Sequence, residues 1–424
     1  MLNEHFTYLN GVLCCDGISL DSIADAVGTP FYVYSAARIR ANVHQIQKAF
    51  AALNPAIHYS LKANANLSLI RLLHEQKIGM DAVSAGEIYR ALQAGVPAEN
   101  IVYAGVGKTA DEIRYALEVG VGWFNVESGG ELASLNQIAG EMGKTAVAAL
   151  RLNPDVQAQT HHHIATGHGG TKFGMSAETI KRILANRADY FHVHIQGIHV
   201  HIGSQLADVQ ATVEAVKRAQ ALAEPYSDIR TINIGGGFPV PYTEQDHYPV
   251  PQEFANALVP LLHGWNVKLE PGRFIVANAG ALVISTLYIK IQEGRRFIIT
   301  DGSMTELIRP ALYEAVHPVY SVYQSDEQAT EAMVVGPVCE SADMLSRSAV
   351  LPPLQPGARL VVMMAGAYGM VMASNYNMRT RPPEILIENG HWRVIRRRET
   401  WQDLLQFEQN LPLSGERLSK KNPL

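Results

Sequence analysis

The sequence predicts an α/β protein in which a (β/α)8 barrel of the TIM type is joined to a second, mostly β domain. Between about residue 57 and residue 272, eight short β-rich runs alternate with longer stretches of helical periodicity, which is the pattern of βα units around a parallel sheet. After residue 280 the rhythm changes to strand-like segments separated by turns. The length of 424 residues also favours two domains, because a single core stops growing at about 250 to 300 residues.

The arrangement of the eight runs favours a closed barrel. The first four start about 21 or 22 residues apart, which is the length of one strand and one helix. Chain order alone is also compatible with an open doubly wound sheet, but polar residues and glycines gather at the C-terminal ends of nearly all the runs, and only a barrel brings those ends together. The runs are IHYSLK from Ile57, GMDAVS from Gly79, IVYAG from Ile101, GWFNV from Gly122, AVAALRLN from Ala146, IQGIHVHI from Ile195, TINIGG from Thr231 and VKLEPG from Val267.

We assign the barrel to residues 30–280, and the second domain, of β-sandwich or barrel-like form, to residues 1–29 together with residues 281–424. The N-terminal part contains a helical stretch, SLDSIADAVG, followed by the strand-like FYVYS, and we expect it to pack with the C-terminal domain. The strand-like segments of the second domain are ALVISTLYIKI, RRFIITDG, EAMVVGPV and RLVVMMAGAYG.

Composition excludes several classes of protein. With 47% hydrophobic and 18% charged residues, the chain has the make-up of a folded globular protein. Its net charge of -5 comes from residues spread along the chain, so there is no basic field for nucleic acid or anionic lipid, and small molecules are the expected partners. Cys14, Cys15 and Cys339 do not form a disulfide framework, which fits a reducing cytoplasm. The longest apolar run, from Val361 to Ala373, is shorter than the roughly 20 residues of a membrane span.

Lys62, at the end of the first run, is the first candidate for chemistry. A buried lysine at the open end of a barrel has its pKa lowered by desolvation and can attack an aldehyde, whereas an isolated strand-end lysine reaches solvent. The glycines 235–237 after the seventh run would let backbone N–H groups approach a phosphate, although such a run is as often a plain turn. Glu270 and Arg273 after the eighth run offer a carboxylate and a guanidinium within one turn, with a structural salt bridge as the alternative.

Two groups of histidines are further candidates for a functional role. His201, at the end of the sixth run, could lie flat against a ring, and Ser204 could donate to a phosphate, while His199 alternates with His201 and would point the other way, into packing. The consecutive histidines 161–163 cannot all face one ion easily and have no carboxylate or cysteine at ligand spacing, so we favour a solvated loop and expect no metal site.

Eleven motifs in order carry a resemblance to a known family. The chain resembles the barrel-type (fold-type III) pyridoxal-phosphate decarboxylases from about Pro30 to Arg396, most closely the branch that acts on diaminopimelate. Two small departures are Ala65 in SLKANAN and DGSM in place of DAGM. The motifs are SLKANAN, MDAVSAGEI, NVES, LRLNPD, TKFGM, GIHVHIGSQ, NIGGGFPVPY, LEPGR, DGSMTELIRPALY, GPVCESAD and GAYGMVMASNYN.

The resemblance implies a barrel that binds pyridoxal 5'-phosphate and a β domain that completes active sites shared between the chains of a homodimer. Lys62 would hold the cofactor as a Schiff base, Glu270 would pair with the ring nitrogen and keep the ring an electron sink, and His201 would stack on the ring. Asp81 and Glu87 would support the lysine end. The residues around the phosphate would be Ser204, Gly235, Gly236, Gly237, Gly272, Arg273 and Tyr368.

The resemblance also implies the reaction, in which meso-2,6-diaminopimelate is decarboxylated to L-lysine and carbon dioxide as the last step of lysine biosynthesis. Cys339 of the partner chain would protonate the carbanion. A guanidinium and an acid can pair with the second carboxylate and ammonium of this substrate, whereas ornithine has no distal carboxylate for Arg309. The alternatives are a decarboxylase of ornithine, lysine or arginine, a racemase, or a non-catalytic relative that binds the cofactor. The residues implied at the distal end are Arg273, Arg309, Tyr313, Glu340 and Tyr368.

Overall fold

The N-terminal segment of the protein, in a computed structural model that describes residues 1–156 and 171–409, starts with a small antiparallel sheet of three strands. The helix predicted from SLDSIADAVG follows; its first turn is capped by the Ser19 side chain, and it ends at Gly28, where φ is +70°. The elements are β1 (Phe6–Leu9), β2 (Val12–Cys15), β3 (Ile18–Ser19), α1 (Leu20–Val27), β4 (Phe31–Ser35) and α2 (Ala36–Ala49).

Eight parallel strands then close into a barrel, and each coincides with one of the eight predicted runs, so the predicted fold class is confirmed. The strands are β5 (Ala56–Ser60), β6 (Gly79–Ala82), β7 (Ile101–Tyr103), β8 (Trp123–Val126), β9 (Ala146–Leu152), β10 (Val193–Val200), β11 (Thr231–Asn233) and β12 (Asn266–Leu269). The helices in this part of the chain are α3 (Leu67–His74), α4 (Ala85–Gln93), α5 (Ala110–Val119), α6 (Gly129–Glu141), α7 (Ala177–Ala185), α8 (Val209–Ala223), α9 (Pro251–Leu262) and α10 (Arg273–Val276).

The barrel strands are buried on both faces, as expected for a parallel sheet enclosed by helices. Every residue of β6, β7 and β8 is buried. The helices have one apolar face each; in α3, for example, the buried residues include Leu69, Ile70 and Leu73. Since the strands are parallel, their C-terminal ends lie at one rim, and this rim carries the polar groups that follow β5, β10, β11 and β12.

The second domain is mostly β, as predicted, and is built on a sheet with the path β17-β16-β14-β13-β4-β19-β20, from which β18 and β15 branch at β13. The predicted strand RLVVMMAGAYG ends early, at Val362, because Met364 and Tyr368 have φ values of +61° and +56° that a strand does not allow. The elements are β13 (Gly280–Gln292), β14 (Arg295–Thr300), α11 (Arg309–Tyr313), β15 (Val319–Ser321), β16 (Thr330–Val335), β17 (Met344–Leu351), β18 (Arg359–Val362), β19 (Glu384–Glu388), β20 (His391–Arg396) and α12 (Trp401–Leu405).

Strand β4 joins the N-terminal segment to this second sheet. It pairs antiparallel with β13 and parallel with β19, so residues 31–35 belong to the second sheet. The N-terminal part with FYVYS was expected to pack with the C-terminal domain, although the barrel segment was drawn from residue 30. The buried carboxylate of Glu384 links the two parts, because it accepts hydrogen bonds from the Tyr34 hydroxyl at 2.8 Å and from the Asn66 amide, just beyond β5, at 3.0 Å. The second sheet therefore lies against the rim of the barrel. Among the described residues, the helices are too short or too polar to span a bilayer.

Candidate active site

A cavity of about 760 Å³ opens at the rim formed by the C-terminal ends of the barrel strands. Residues from both domains line it. The GAYG segment of the second domain is held beside Lys62, since the backbone N–H of Tyr368 donates to the carbonyl of Ala63 at 2.8 Å. The cavity thus brings together side chains that are far apart in the sequence. The predicted site residues on its wall are Lys62, His201, Ser204, Arg273, Arg309, Tyr313 and Tyr368.

Lys62 lies in a short 3-10 turn directly after β5 and extends its amine toward the cavity, where 41% of its side chain remains accessible. Its Nζ is 3.1 Å from Oδ2 of the fully buried Asp81, which also accepts the Ser60 hydroxyl at 2.7 Å. Burial by itself would lower the pKa of Lys62, but Asp81, with Tyr368 and Glu270, outweighs burial and raises that pKa above its ordinary value. The expectation of a lowered lysine pKa was therefore wrong, because a carboxylate partner faces the amine.

Glu270 is buried just beyond β12 and is surrounded by donors. Its Oε1 accepts the side-chain amides of Asn125 and Asn233 at 2.7 and 2.6 Å, and its Oε2 lies 3.3 Å from Nε2 of His199. Burial would raise the pKa of Glu270, but His199, the Asn233 amide and the charge of Lys62 together hold it well below its usual range. These neighbours favour the ionised form of Glu270. His199 packs inside the barrel as predicted, but it faces Glu270 rather than inert side chains.

The loop after β11 approaches its neighbours so closely that side chains are excluded. A Cβ at Gly236 would lie 2.3 Å from the carbonyl oxygen of Glu270, and Gly237 has a φ of +96°. The N–H of Gly236 donates to Nδ1 of His201 at 3.3 Å, which leaves the proton of the neutral ring on Nε2. Burial, followed by the charges of Arg151 and Lys62, holds the pKa of His201 well below its ordinary value, so the ring stays uncharged.

Two guanidinium groups at the cavity contact Tyr242. Arg273 donates through Nη1 to the Tyr242 hydroxyl at 3.0 Å and through Nε to Ser204 at 3.1 Å. Arg309 lies with its Cζ 4.8 Å above the Tyr242 ring and contacts His317 through Nη1 at 2.8 Å. Within the part of the chain that the structure describes, neither guanidinium has a carboxylate at ion-pair distance. This wall of the cavity is consequently suited to anionic groups.

Comparisons with known proteins agree with this geometry. Residues 36–277 match the family described as "Pyridoxal-dependent decarboxylase, pyridoxal binding domain". The diaminopimelate decarboxylase of Aquifex aeolicus (strain VF5) is 42% identical over 410 residues, which is 95% of this chain and 97% of that protein. The chain belongs to the diaminopimelate decarboxylase family.

Solved structures show how far the likeness to this family extends. The diaminopimelate decarboxylase of M. jannaschii, in co-complex with L-lysine, superposes with a TM-score of 0.91 at 34% identity and covers 97% of this chain and 99% of its own. The lysine/ornithine decarboxylase of Vibrio vulnificus, complexed with cadaverine, has a lower TM-score of 0.77 at 25% identity, over 87% of this chain and 98% of that chain. The same architecture thus occurs in decarboxylases with different named substrates.

The residues of this family member fit pyridoxal phosphate by their chemistry. The amine of Lys62 and the ionised carboxylate of Glu270 lie at the same rim. The amine is the group that condenses with the cofactor's aldehyde, and the carboxylate is the group that pairs with its pyridine nitrogen. The loop at Gly236, where a Cβ would collide with backbone, leaves room for the backbone to approach a phosphate beside Ser204 and Arg273. Gly272 has a related role, since a Cβ there would lie 3.0 Å from the Cβ of Ser60 under the lysine turn.

Nine predicted site residues do not line the cavity wall: Asp81, the glycines 235–237, Glu270 and Gly272 are among the groups described above, and the other three are Glu87, Cys339 and Glu340. Glu87, in the first turn of α4, accepts the N–H of Val83 at 2.8 Å, and burial raises the pKa of Glu87 to about 7. Cys339 and Glu340 are exposed in the turn after β16, where the N–H of Cys339 donates to Oδ1 of Asn377 at 3.0 Å. The single chain therefore does not place Cys339 or Glu340 beside Lys62. The histidines 161–163 are outside the described residues.

Sequence reasoning missed several residues that contact the site. Asn125 is a polar residue inside the otherwise apolar strand β8, and Asn233 is a buried amide at the end of β11, so a polar residue in a buried strand is the signal that could have identified them. Tyr242 lies in the motif NIGGGFPVPY, but nothing in its neighbours indicates two arginine partners. His317 has no local signal, because its contact with Arg309 depends on how the segment after α11 folds back.

Proposed function

We propose that this protein is the pyridoxal-phosphate-dependent enzyme that decarboxylates meso-2,6-diaminopimelate to L-lysine and carbon dioxide, the last step of lysine biosynthesis. One observation carries the choice of substrate. Arg309 is only 7% exposed, has no carboxylate partner among the described residues and opens onto the same cavity as Lys62. A buried guanidinium without a counter-charge favours a ligand that brings a carboxylate of its own.

The residues at the rim have separate tasks in this proposal. When bound, the cofactor supplies an electron sink for the electron pair left on carbon as carbon dioxide departs. Lys62 is the amine that holds the cofactor aldehyde, and Asp81 orients that amine at 3.1 Å. Glu270, kept ionised beside His199 and the amides of Asn125 and Asn233, would be the partner of the ring nitrogen and would stabilise a proton there. His201 presents a neutral ring to the cofactor plane.

The cofactor phosphate is assigned to the loops that follow β10, β11 and β12 at the same rim. The backbone of glycines 235–237, which has no side chains in the way, and the side chains of Ser204 and Arg273 are assigned to it, and Gly272 and Tyr368 border them. The distal end of the substrate is assigned to Arg309 and Tyr313, which line the same cavity beyond Tyr242. The two arginines thus divide the anionic groups between them, phosphate at Arg273 and distal carboxylate at Arg309, with Arg273 also within reach of the substrate.

Cys339 and Glu340 are assigned to the active site of a partner chain. Both are exposed, and neither lines the cavity of its own chain. In a homodimer with shared sites, Cys339 would protonate the carbon that has lost carbon dioxide, and Glu340 would pair with the distal ammonium. We also propose that the enzyme acts in the cytoplasm, where an exposed free cysteine stays reduced.

Mixing two inactive variants tests the shared sites. Lys62→Ala and Cys339→Ala homodimers should each be inactive or slow, but a heterodimer contains one site with both native residues. After subunit exchange of equal amounts, about a quarter of the wild-type sites, and so of the decarboxylase activity, should return. Carbon dioxide release before and after exchange is the measurement. A mixture that stays as inactive as its components, although exchange is shown by mass, would contradict a site built from two chains.

The substrate assignment is tested with a panel of amino acids. Carbon dioxide release should be fastest on meso-diaminopimelate and much slower on ornithine, lysine and arginine, and the product should be L-lysine of a single chirality. Arg309→Ala should raise KM for diaminopimelate by about tenfold to a hundredfold, the value of one charge-assisted pair, and change KM for ornithine less. Equal changes on both substrates would show that Arg309 does not bind the distal carboxylate.

A further inference from the structure

Arg309 is held by a histidine whose protonation is set by its surroundings. Nδ1 of His317 lies 2.9 Å from the carbonyl oxygen of Met363, which can only accept, so Nδ1 carries the proton. Nε2 then has a free lone pair and accepts from Nη1 of Arg309 at 2.8 Å. His317 is 2% exposed, and burial, followed by the charge of Arg309, lowers the pKa of His317 to about 3. His317 therefore binds the Arg309 guanidinium as a neutral hydrogen-bond acceptor.

Tyr242 is the second residue that holds the Arg309 guanidinium in place. The guanidinium carbon of Arg309 lies 4.8 Å above the Tyr242 ring, and the His317 ring meets the same tyrosine edge-on, with centroids 5.4 Å apart and an interplanar angle of 82°. The Tyr242 hydroxyl is tied to Arg273 at 3.0 Å, so the tyrosine cannot turn away from Arg309 without breaking a charge-assisted bond. Histidine and tyrosine together leave Arg309 little freedom of orientation.

The two groups that support Arg309, the His317 nitrogen and the Tyr242 ring, bring no negative charge to its guanidinium. A carboxylate at either position would neutralise the guanidinium and remove the reason to bind a second one. A neutral imidazole nitrogen and an aromatic face orient the arginine but leave its positive charge uncompensated in a buried position. The cavity thus presents an oriented, unneutralised cation to whatever enters beside Lys62.

We propose that His317 and Tyr242 are positioning residues that set the preference of this enzyme for ligands with a distal carboxylate, by fixing Arg309 without neutralising it. The inference rests on the proposed function, because it takes Arg309 to be the group that meets that carboxylate. Loss of carbon dioxide from one end of diaminopimelate leaves L-lysine, which keeps the distal carboxylate. Cadaverine has the same carbon chain and the same two amines as L-lysine but lacks the carboxylate. The ratio of the inhibition constants of cadaverine and L-lysine therefore isolates recognition of the carboxylate.

The test compares two variants of His317 in the holoenzyme. In His317→Gln the amide oxygen can reach the position of Nε2 and accept from Arg309, whereas in His317→Asn the shorter amide can replace only the Nδ1 donor to Met363. His317→Asn should reduce the preference for L-lysine over cadaverine about tenfold, the effect of one hydrogen bond to a charged group. Cadaverine should bind within about twofold of its wild-type constant, and His317→Gln should recover most of the preference.

The His317 variants test the positioning role, and Arg309→Ala tests the distal-carboxylate assignment. If His317→Asn weakens L-lysine and cadaverine equally, or if His317→Gln behaves as His317→Asn does, His317 is merely structural and the inference is overturned. If Arg309→Ala leaves the preference unchanged, the distal-carboxylate assignment itself fails, which is a separate result. Thermal unfolding and cofactor absorbance establish that each variant is folded and loaded. Should the His317 variants not fold, Tyr242→Phe must keep more of the preference than Tyr242→Leu, because only phenylalanine retains the ring beneath Arg309. Equal losses in the two variants would overturn the role given to that ring.

Discussion

Replacing Lys62 by alanine is expected to lower carbon dioxide release from diaminopimelate by at least about a thousandfold, as is usual when the group that bonds covalently is removed. Lys62 is the lysine on the cavity wall, and Asp81 directs its amine there at 3.1 Å. The variant should also lose the covalent link to the cofactor. Borohydride treatment of the wild-type holoenzyme, followed by peptide mass mapping, should add the reduced cofactor to the peptide that contains Lys62 and to no other.

Lys62→Arg is the matched control for this experiment. Arginine keeps the positive charge opposite the buried Asp81, so the fold should be preserved better than in Lys62→Ala, where Asp81 is left without its cation. Arginine cannot condense with an aldehyde, and Lys62→Arg should therefore be as inactive as Lys62→Ala. Labelling of another lysine, or substantial activity in Lys62→Arg, would show that the cofactor is held elsewhere.

Glu270→Gln is expected to have the second largest effect and to lower kcat roughly a hundredfold or more, because an amide cannot stabilise a proton on the ring nitrogen electrostatically. The glutamine amide would also face the amide donors of Asn125 and Asn233. Since its surroundings hold the pKa of Glu270 well below the usual range, the wild-type residue is ionised throughout the neutral region. The loss in kcat should therefore be the same at pH 6 as at pH 8.

Glu306→Gln provides the comparison with a buried carboxylate away from the cavity. Glu306 is 1% exposed in the second domain and accepts hydrogen bonds from Ser303 and Thr305. Its replacement should lower the free energy of unfolding by about 1 to 3 kcal/mol, through lost hydrogen bonds, and leave kcat within about threefold. If kcat of Glu270→Gln fell no further than kcat of Glu306→Gln, the role assigned to Glu270 would be wrong.

The barrel could be read from the sequence because its determinants are local. Each strand is a short apolar run followed by a helical period, and the residues that interrupt these runs at their ends, such as Lys62, Gly235 and Glu270, must meet at one rim once the strands are parallel and closed. The second domain was recognisable only as mostly β. Its strand pairing is long-range, and the insertion of β4 between β13 and β19 joins residues about 250 and 350 positions apart, which no local pattern encodes.

The sequence by itself determined the fold class, the family and most residues at the rim, because periodicity and motifs are properties of neighbouring residues. Only the tertiary structure decided the ionisation and orientation of those residues. It reversed the expected direction of the Lys62 pKa by placing Asp81 opposite the amine, and it positioned His317 against Arg309. Electrostatic effects depend on distance and burial in space, and both are set by the way distant segments pack together.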